Sequence, residues 1–194
     1  MTGPALALLE FDSIARGIEA GDAMVKRGPV ELIVAGTVQP GKFLVLVTGL
    51  TADVEEAVEA GRETAGAHLV DTVMLPDVHP GVVDGARGLR LEGAGEALGI
   101  IETETVAAVL DAADAGLKGA DVTLQELRIA DGLGGKGYAL FRGSVSEVEA
   151  AVSYGLGRIS EAQLKQSAVI AQLHHEMLEN LIAEARFNRR LQGG

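Results

Sequence analysis

The apolar positions of this chain fall into short blocks whose period alternates between strand-like and helical. Residues 5–11 (ALALLEF) form a continuous apolar run with the length of a buried strand. After it, Ile14, Ile18, Gly21 and Val25 recur at spacings of three and four and predict a helix, with Ser13 as its N-cap. Gly28-Pro29 ends that helix. Residues 30–35 and 43–47 read as two strands around a hairpin-like loop, 36–42. Thr51 or Asp53 opens a second helix with Val54, Ala57, Val58 and Gly61 on one face. Residues 70–75 form a further strand, and His79-Pro80 begins a short terminal segment. The order is β-α-β-β-α-β, a split βαβ layout of the ferredoxin-like kind with helices over a mostly antiparallel sheet.

The same order is then written again. Strand 98–102, helix 104–118, strand 122–129, loop 130–136, strand 137–142, helix 146–157 and strand 164–170 follow in turn, although 153–164 could extend the helix before it. A longer amphipathic helix over roughly 174–190 carries Met177, Leu178, Leu181, Ile182 and Ala185 on one face. Residue identities repeat as well as pattern. Glu10 matches Glu102, Ala15 matches Ala107, and Asp22-Ala23 matches Asp114-Ala115; Lys26, Val30 and Leu32 match Lys118, Val122 and Leu124. After a two-residue insertion, Gly41-Lys42 falls on Gly135-Lys136, Gly49 on Gly143 and Val54-Glu55 on Val148-Glu149. LVDTVMLPDVH then lies over LKQSAVIAQLH, which places His79 on His174. Three collinear blocks at this long period indicate a domain duplication rather than a solenoid. The expected fold is α/β in the broad sense, α+β in arrangement: two tandem domains, 1–88 and 98–194, joined by a linker at about 89–97 that overlaps the Gly-rich, charged stretch 84–96.

Composition narrows the function classes. With 47% hydrophobic and only 3% aromatic residues, the cores must be built from Val, Leu, Ile and Ala, and 26 glycines ask for many turns or close approaches. The net charge of −12 argues against nucleic acid and against an anionic membrane surface. No apolar run approaches the roughly 20 residues that span a bilayer. The start, MTGPALALLEFDS, lacks a basic segment, so no signal peptide is expected. The absence of Cys excludes disulfides and Cys-ligated metals or clusters. A soluble, cytoplasmic protein without cofactor is expected.

The candidate chemistry is thin. Residues 36–42 match the first part of a phosphate-binding loop, but Phe43 stands where a hydroxyl is needed and a strand follows where a helix should. His174-His175 lacks a third ligand, and adjacent residues on a helix diverge, which argues against zinc. Glu10 and Glu102 follow apolar strands with no nucleophile or His nearby in sequence, which points to a structural role. The face Glu55, Glu56, Glu59, Glu63 reads as a solvated helix surface.

The second half carries a further signature, ALGIIET…VAA…DAA with a helix-end lysine, then a Gly-rich loop and a strand closing on His174. The first half follows it with ALALLEF, its own helix-end lysine, a Gly-containing loop and a strand closing on His79. These ordered motifs, covering residues 5–190, resemble the shell proteins of bacterial microcompartments, in the tandem-domain, trimer-forming class. The resemblance implies a non-catalytic building block without cofactor. Three chains would form a pseudohexameric ring that tiles a shell facet beside hexameric and pentameric tiles, with a central pore for small metabolites. It implies that the pore is lined by Thr37, Val38, Gln39, Pro40 and Gly41 from the first half and by Asp131, Gly132, Leu133, Gly134 and Gly135 from the second. It places Lys26, Lys118, His79 and His174 at the tile edge. Two features depart from the family pattern. The edge arginine is absent from Pro76-Asp77-Val78-His79 and from Ala171-Gln172-Leu173-His174, and no loop cysteine is present for an iron–sulfur cluster. The competing expectation is a small-molecule-binding or enzymatic α+β oligomer using the cleft between repeats. It would need a polar cluster unique to one half.

Overall fold

The computed structural model describes residues 4–183. The chain runs β1 (Ala5–Phe11), α1 (Ile14–Arg27), β2 (Leu32–Val38), β3 (Lys42–Gly49), α2 (Thr51–Ala65), β4 (Leu69–Leu75) and α3 (Pro80–Ala86). It continues through β5 (Ala97–Thr103), α4 (Val106–Gly119), β6 (Thr123–Ile129), β7 (Gly137–Gly143), α5 (Val145–Leu156), β8 (Leu164–Ile170) and α6 (His175–Ala183). Two four-stranded sheets result, ordered β2-β3-β1-β4 and β6-β7-β5-β8, with antiparallel pairing throughout. The duplication read from the sequence is thus a duplication of topology. The part of the last expected helix beyond residue 183, Ala185 included, lies outside the described residues.

Local sequence sets most boundaries. Ser13 caps α1 by accepting the Arg16 amide at 3.3 Å, and Thr105 caps α4 in the same way at the Ala108 amide. Helix α5 stops at Leu156, with Gly157 at its end, so it does not extend through 164. Strand β2 lies later than its expected span of 30–35. The Val30 amide turns back to the Gly28 carbonyl, whereas the β-branched Thr37 and Val38 pair with Phe43 and Lys42. Three of the residues expected in the loop, Gly36, Thr37 and Val38, are therefore the end of a strand, and a fourth, Lys42, begins the next.

The two faces of β1 explain why its sequence is apolar without alternation. Ala7, Leu9 and Phe11 pack with Met24, Val54 and Ala57 under helices α1 and α2. Leu6 and Leu8, on the opposite face, join Val73 and Leu75 against Val106 and Leu110 of α4, in the second half. The β1–β4 side of the first sheet's back is thus covered by the second domain, while Leu32 and Val34 on β2 stay exposed. Burying a Val or Leu completely is worth about 1.5–3 kcal/mol, so this seam is a second core rather than a loose domain contact.

Helix α3 extends the seam. Val82 is fully buried, and a Cβ on Gly85 would lie 2.8 Å from Leu127 Cβ, so α3 packs closely over β6. The following stretch, expected to be a Gly-rich linker, is laid over the second sheet. The Leu91 amide bonds the Gln125 carbonyl at 3.1 Å, and the Gly95 carbonyl accepts from the buried Arg142 guanidinium. Near the other end, Arg90 holds the last turn of α6 through the Leu181 and Ile182 carbonyls while pairing with Glu126 at 3.0 Å.

Candidate functional site

Two places in this fold could carry function: the pair of hairpin loops and the surfaces that flank the seam. The loops differ in length. In the first, β2 and β3 stay paired as far as Val38 and Lys42, leaving Gln39-Pro40-Gly41 as the turn. Gly41 has φ +115°, and its amide bonds the Val38 carbonyl at 2.9 Å. In the second, the last ladder pair is Ile129 with Gly137, and the Ala130 amide reaches the Lys136 carbonyl at 2.9 Å. The two inserted residues therefore fall in the loop 131–135. This longer loop turns through positive φ at Ala130, Gly132, Gly134 and Gly135.

The loop tips meet. A Cβ on Gly135 would sit 2.9 Å from the Gln39 carbonyl oxygen and 3.2 Å from Pro40 Cδ. Residues from both expected pore segments are thus brought to one place. Gln39, Pro40, Gly41, Asp131, Gly132 and Gly134 are exposed there, Leu133 is half-buried and Gly135 is buried. Thr37 and Val38 belong to the strand leading in. Arg128 supports the longer loop: its guanidinium bonds the Asp131 carbonyl at 3.2 Å and lies 5.9 Å from the Tyr138 ring centroid. Burial, aided by the Glu126 charge, pushes the Tyr138 hydroxyl up to about 12, so it stays neutral.

Behind each loop stands a glutamate–lysine pair. Glu10 is fully buried. Its carboxylate accepts the Ala107 amide at 2.7 Å and the Lys42 ammonium at 3.2 Å, and burial raises its pKa despite both contacts. Because Ala107 lies in the first turn of α4, Glu10 of the first half caps a helix of the second. Glu102 binds Lys136 at 2.9 Å in the same way, and this bond raises the Lys136 pKa, but the Glu102 side chain is 37% exposed. It borders an open cavity of about 300 Å³ beside Gly132 and Leu133.

The four expected edge residues separate into two environments. Lys118 reaches across the seam to the Asp77 carbonyl and pairs with Asp114 at 2.6 Å. Asp114 in turn accepts the His79 amide at 2.7 Å. Lys118 and His79 thus meet at the join between halves, with the turn 76–79 latched to the end of α4. Their counterparts do not meet within the chain. Among the described residues, the exposed Lys26 pairs along its own helix, with Asp22 at 2.5 Å, while the exposed His174 stacks near His175 at 4.5 Å. No group of three His, Asp or Glu among the described residues could hold a metal. None of the helices described is long and apolar enough to cross a membrane.

Apolar faces show the same inequality. Val106 and Leu110 are fully buried, whereas Ile14 and Ile18, at the same positions of α1, are 41% and 56% exposed. Sequence reasoning named Ile14 and Ile18 as the apolar positions of a helix without saying what covers them, because hydrophobic spacing does not tell whether the covering surface belongs to the same chain. It also missed the Glu10 cap. The signal was present in the joint match of Glu10 with Glu102 and of Ala15 with Ala107.

Known proteins share this architecture. The BMC domain family matches residues 5–78 and again 97–173. The bacterial microcompartment shell protein PduT of Citrobacter freundii is 40% identical over 92% of this chain and 97% of its own. The carboxysome assembly protein CcmO of a Synechocystis strain is 30% identical over 90% of this chain and 60% of its own. The crystal structure of a microcompartment protein from Desulfitobacterium hafniense superposes with TM-score 0.77 and 39% identity, covering 91% of this chain and 99% of that one. Two matches in series, each coinciding with one sheet and its helices, establish that the chain belongs to the BMC domain family as a tandem, two-domain member.

Proposed function

We propose that this structural shell protein of a bacterial microcompartment works as a homotrimeric ring, in which six domains surround a central pore framed by both kinds of hairpin loop. Such rings would tile the facets of a shell in the bacterial cytoplasm, beside hexameric and pentameric tiles, and pass small metabolites. The observation that carries the reading is the unequal burial of equal faces. The β1–β4 side of the first sheet's back covers α4, while the equivalent β5–β8 side of the second sheet, with Ala168 and Ile170 exposed, and the face of α1 remain open. Joining those two surfaces between copies repeats the intrachain seam. A head-to-tail contact of this kind either closes into a ring or propagates as a filament. The family resemblance supports closure after three chains.

The pore would be physical rather than catalytic. Backbone amides in the glycine turns favour small anions, whereas exposed Asp131 carboxylates facing the lumen would favour cations. The competing reading, a binding protein or enzyme, draws no support from an apolar groove of about 460 Å³ whose charged lining groups, among the described residues, are Arg87 and Asp131. The tile edge would be formed by the outward Lys26 and His174, with Lys118 and His79 closing the joins.

Native mass spectrometry and cryo-electron microscopy test this reading together. Three chains around an axis, with residues 39–41 and 131–135 nearest that axis, are the expected result. A monomer, or a ring with those turns at its rim, overturns it. Replacing Asp131 with Asn without any change in ion flux through reconstituted sheets would remove the cation-selective pore.

A further inference from the structure

We propose that Glu102 of one protomer caps helix α1 of a second copy of this chain, its carboxylate accepting the Ala15 amide. The proposal rests on the ring reading above and deepens it by naming the polar contact that sets the angle between protomers.

The chain already contains the contact once. Glu10, at the end of β1, accepts the Ala107 amide at 2.7 Å from the first turn of α4. Every component of that arrangement recurs in the other half. Glu102 ends β5 as Glu10 ends β1, and in both strands the register with the outer strand shifts immediately after the glutamate. Each carboxylate is held from one side by the lysine that follows its hairpin loop, Lys42 or Lys136. On the accepting side, Ser13 and Thr105 are equivalent caps, and Ala15 occupies in α1 the position of Ala107 in α4. A first-turn amide has no partner inside its own helix. Ser13 takes the amide of Arg16, which leaves that of Ala15 to solvent or to a neighbour.

The surroundings match as well. Leu6 and Leu8 flank Glu10 on the strand face that meets Val106 and Leu110. Leu98, already buried within the chain, and the half-buried Ile100 stand in the same relation to Glu102, with Ala168 and Ile170 exposed beside them, and Ile14 and Ile18 flank Ala15 with exposed side chains. A carboxylate at a helix N-terminus is favoured by the helix dipole as well as by the hydrogen bond, and within an apolar rim it is shielded from water. Each chain offers one such carboxylate and one such helix end, so the contact runs head to tail.

Sedimentation velocity across a dilution series, with amide hydrogen exchange at Ala15, tests the proposal on wild type, Glu102→Ala and Glu102→Gln. The expected result is an oligomer in which Ala15 exchanges about as slowly as Ala107. Glu102→Ala should raise the dissociation constant about tenfold or more and release Ala15. Glu102→Gln, which retains an acceptor oxygen, should keep Ala15 protected. If the ring forms but Glu102→Ala assembles with wild-type affinity, or Ala15 stays protected in it, the cap is overturned and the ring stands. If Glu102→Ala does not fold, the decision passes to Glu102→Gln, and fast Ala15 exchange in its assembled form overturns the cap. A wild-type chain that remains monomeric at every concentration overturns the ring reading and the cap with it.

Discussion

The Glu10 carboxylate accepts the Ala107 amide at 2.7 Å across the join between two domains of one chain. A buried acid thus terminates the helix dipole of a neighbouring domain while a lysine neutralises it from its own. Glu10→Ala leaves that amide and the largely buried Lys42 without their partner. It should lower stability by about 1–3 kcal/mol at neutral pH.

Titration gives Glu10 a second, distinguishable signature. Its pKa lies above the ordinary glutamate value of 4.5, chiefly because burial penalises the charged form. For a group with a raised folded pKa, the contribution to stability is complete below the unfolded value and is lost as pH rises through the folded one. Relative to wild type, Glu10→Gln should therefore gain stability as pH rises above 4.5 through the folded pKa. Chemical denaturation of both proteins at a series of pH values checks this. A constant difference across the window would mean that Glu10 titrates as an ordinary surface acid.

Equivalent positions in the two halves should respond differently to substitution. Leu110→Ala removes a fully buried side chain from the seam and should cost about 2–5 kcal/mol. Ile18→Asp, on the exposed counterpart face, should leave unfolding of the dilute chain within about 0.5 kcal/mol of wild type. It should nevertheless abolish assembly, because it places an unpaired charge where the intrachain seam is apolar. Thermal unfolding at low concentration and light scattering at high concentration separate these effects. Normal assembly of Ile18→Asp would show that this face is not an interface.

Much of this asymmetry was invisible in the sequence for a definite reason. ALALLEF and ALGIIET read as the same kind of strand because both faces of each are apolar; only the fold shows that β1 is covered twice within the chain and β5 less completely. The repeat, the element order and the Ser13 cap were legible, because each depends on local spacing or on residue identity. The extent of β2 was not. Gly28-Pro29 marks the end of a helix but not the start of the next strand, and Thr37-Val38 looks like loop until its partners are known. Helix α3 was read only as a short segment running into a linker. Its seven residues bury Val82 and Gly85 against the second domain, a tertiary fact with no periodic trace. The glycine loops were marked as a candidate site by composition and family resemblance, but their meeting at Gly135 depends on the domain join.

That meeting distinguishes two neighbouring glycines. Gly134 has φ +65° with nothing within 4 Å of a would-be Cβ, so Gly134→Ala should cost only the left-handed backbone penalty, about 1–2 kcal/mol. Gly135 has φ +82°, and a Cβ there would lie 2.9 Å from the Gln39 carbonyl oxygen. Gly135→Ala adds an overpacking cost of about 1–3 kcal/mol to a similar backbone penalty and must push the loops apart. Calorimetric unfolding of the two variants should rank them in that order, and equal losses would mean that the loop tips are not in contact.

Assembly beyond the ring should depend on salt in a direction set by charge. Each chain carries −12, so neighbouring rings repel through solvent at low ionic strength. Screening shortens the reach of that repulsion to about 10 Å at 0.1 M salt. The opposing contacts are short-ranged. Lys118 donates to the neutral Asp77 carbonyl across the seam, and Lys26, if it meets a carbonyl of a neighbouring ring in the same way, makes a bond that screening weakens little. Sheet formation followed by pelleting or turbidity should therefore strengthen as salt rises through the moderate range. Lys26→Ala should weaken it at every salt concentration while leaving the stability of the isolated chain within about 0.5 kcal/mol, since its pairing with Asp22 is a surface one. Assembly that falls steadily with salt would instead mean that rim lysines act mainly as charges, with local attraction outweighing the net repulsion between rings.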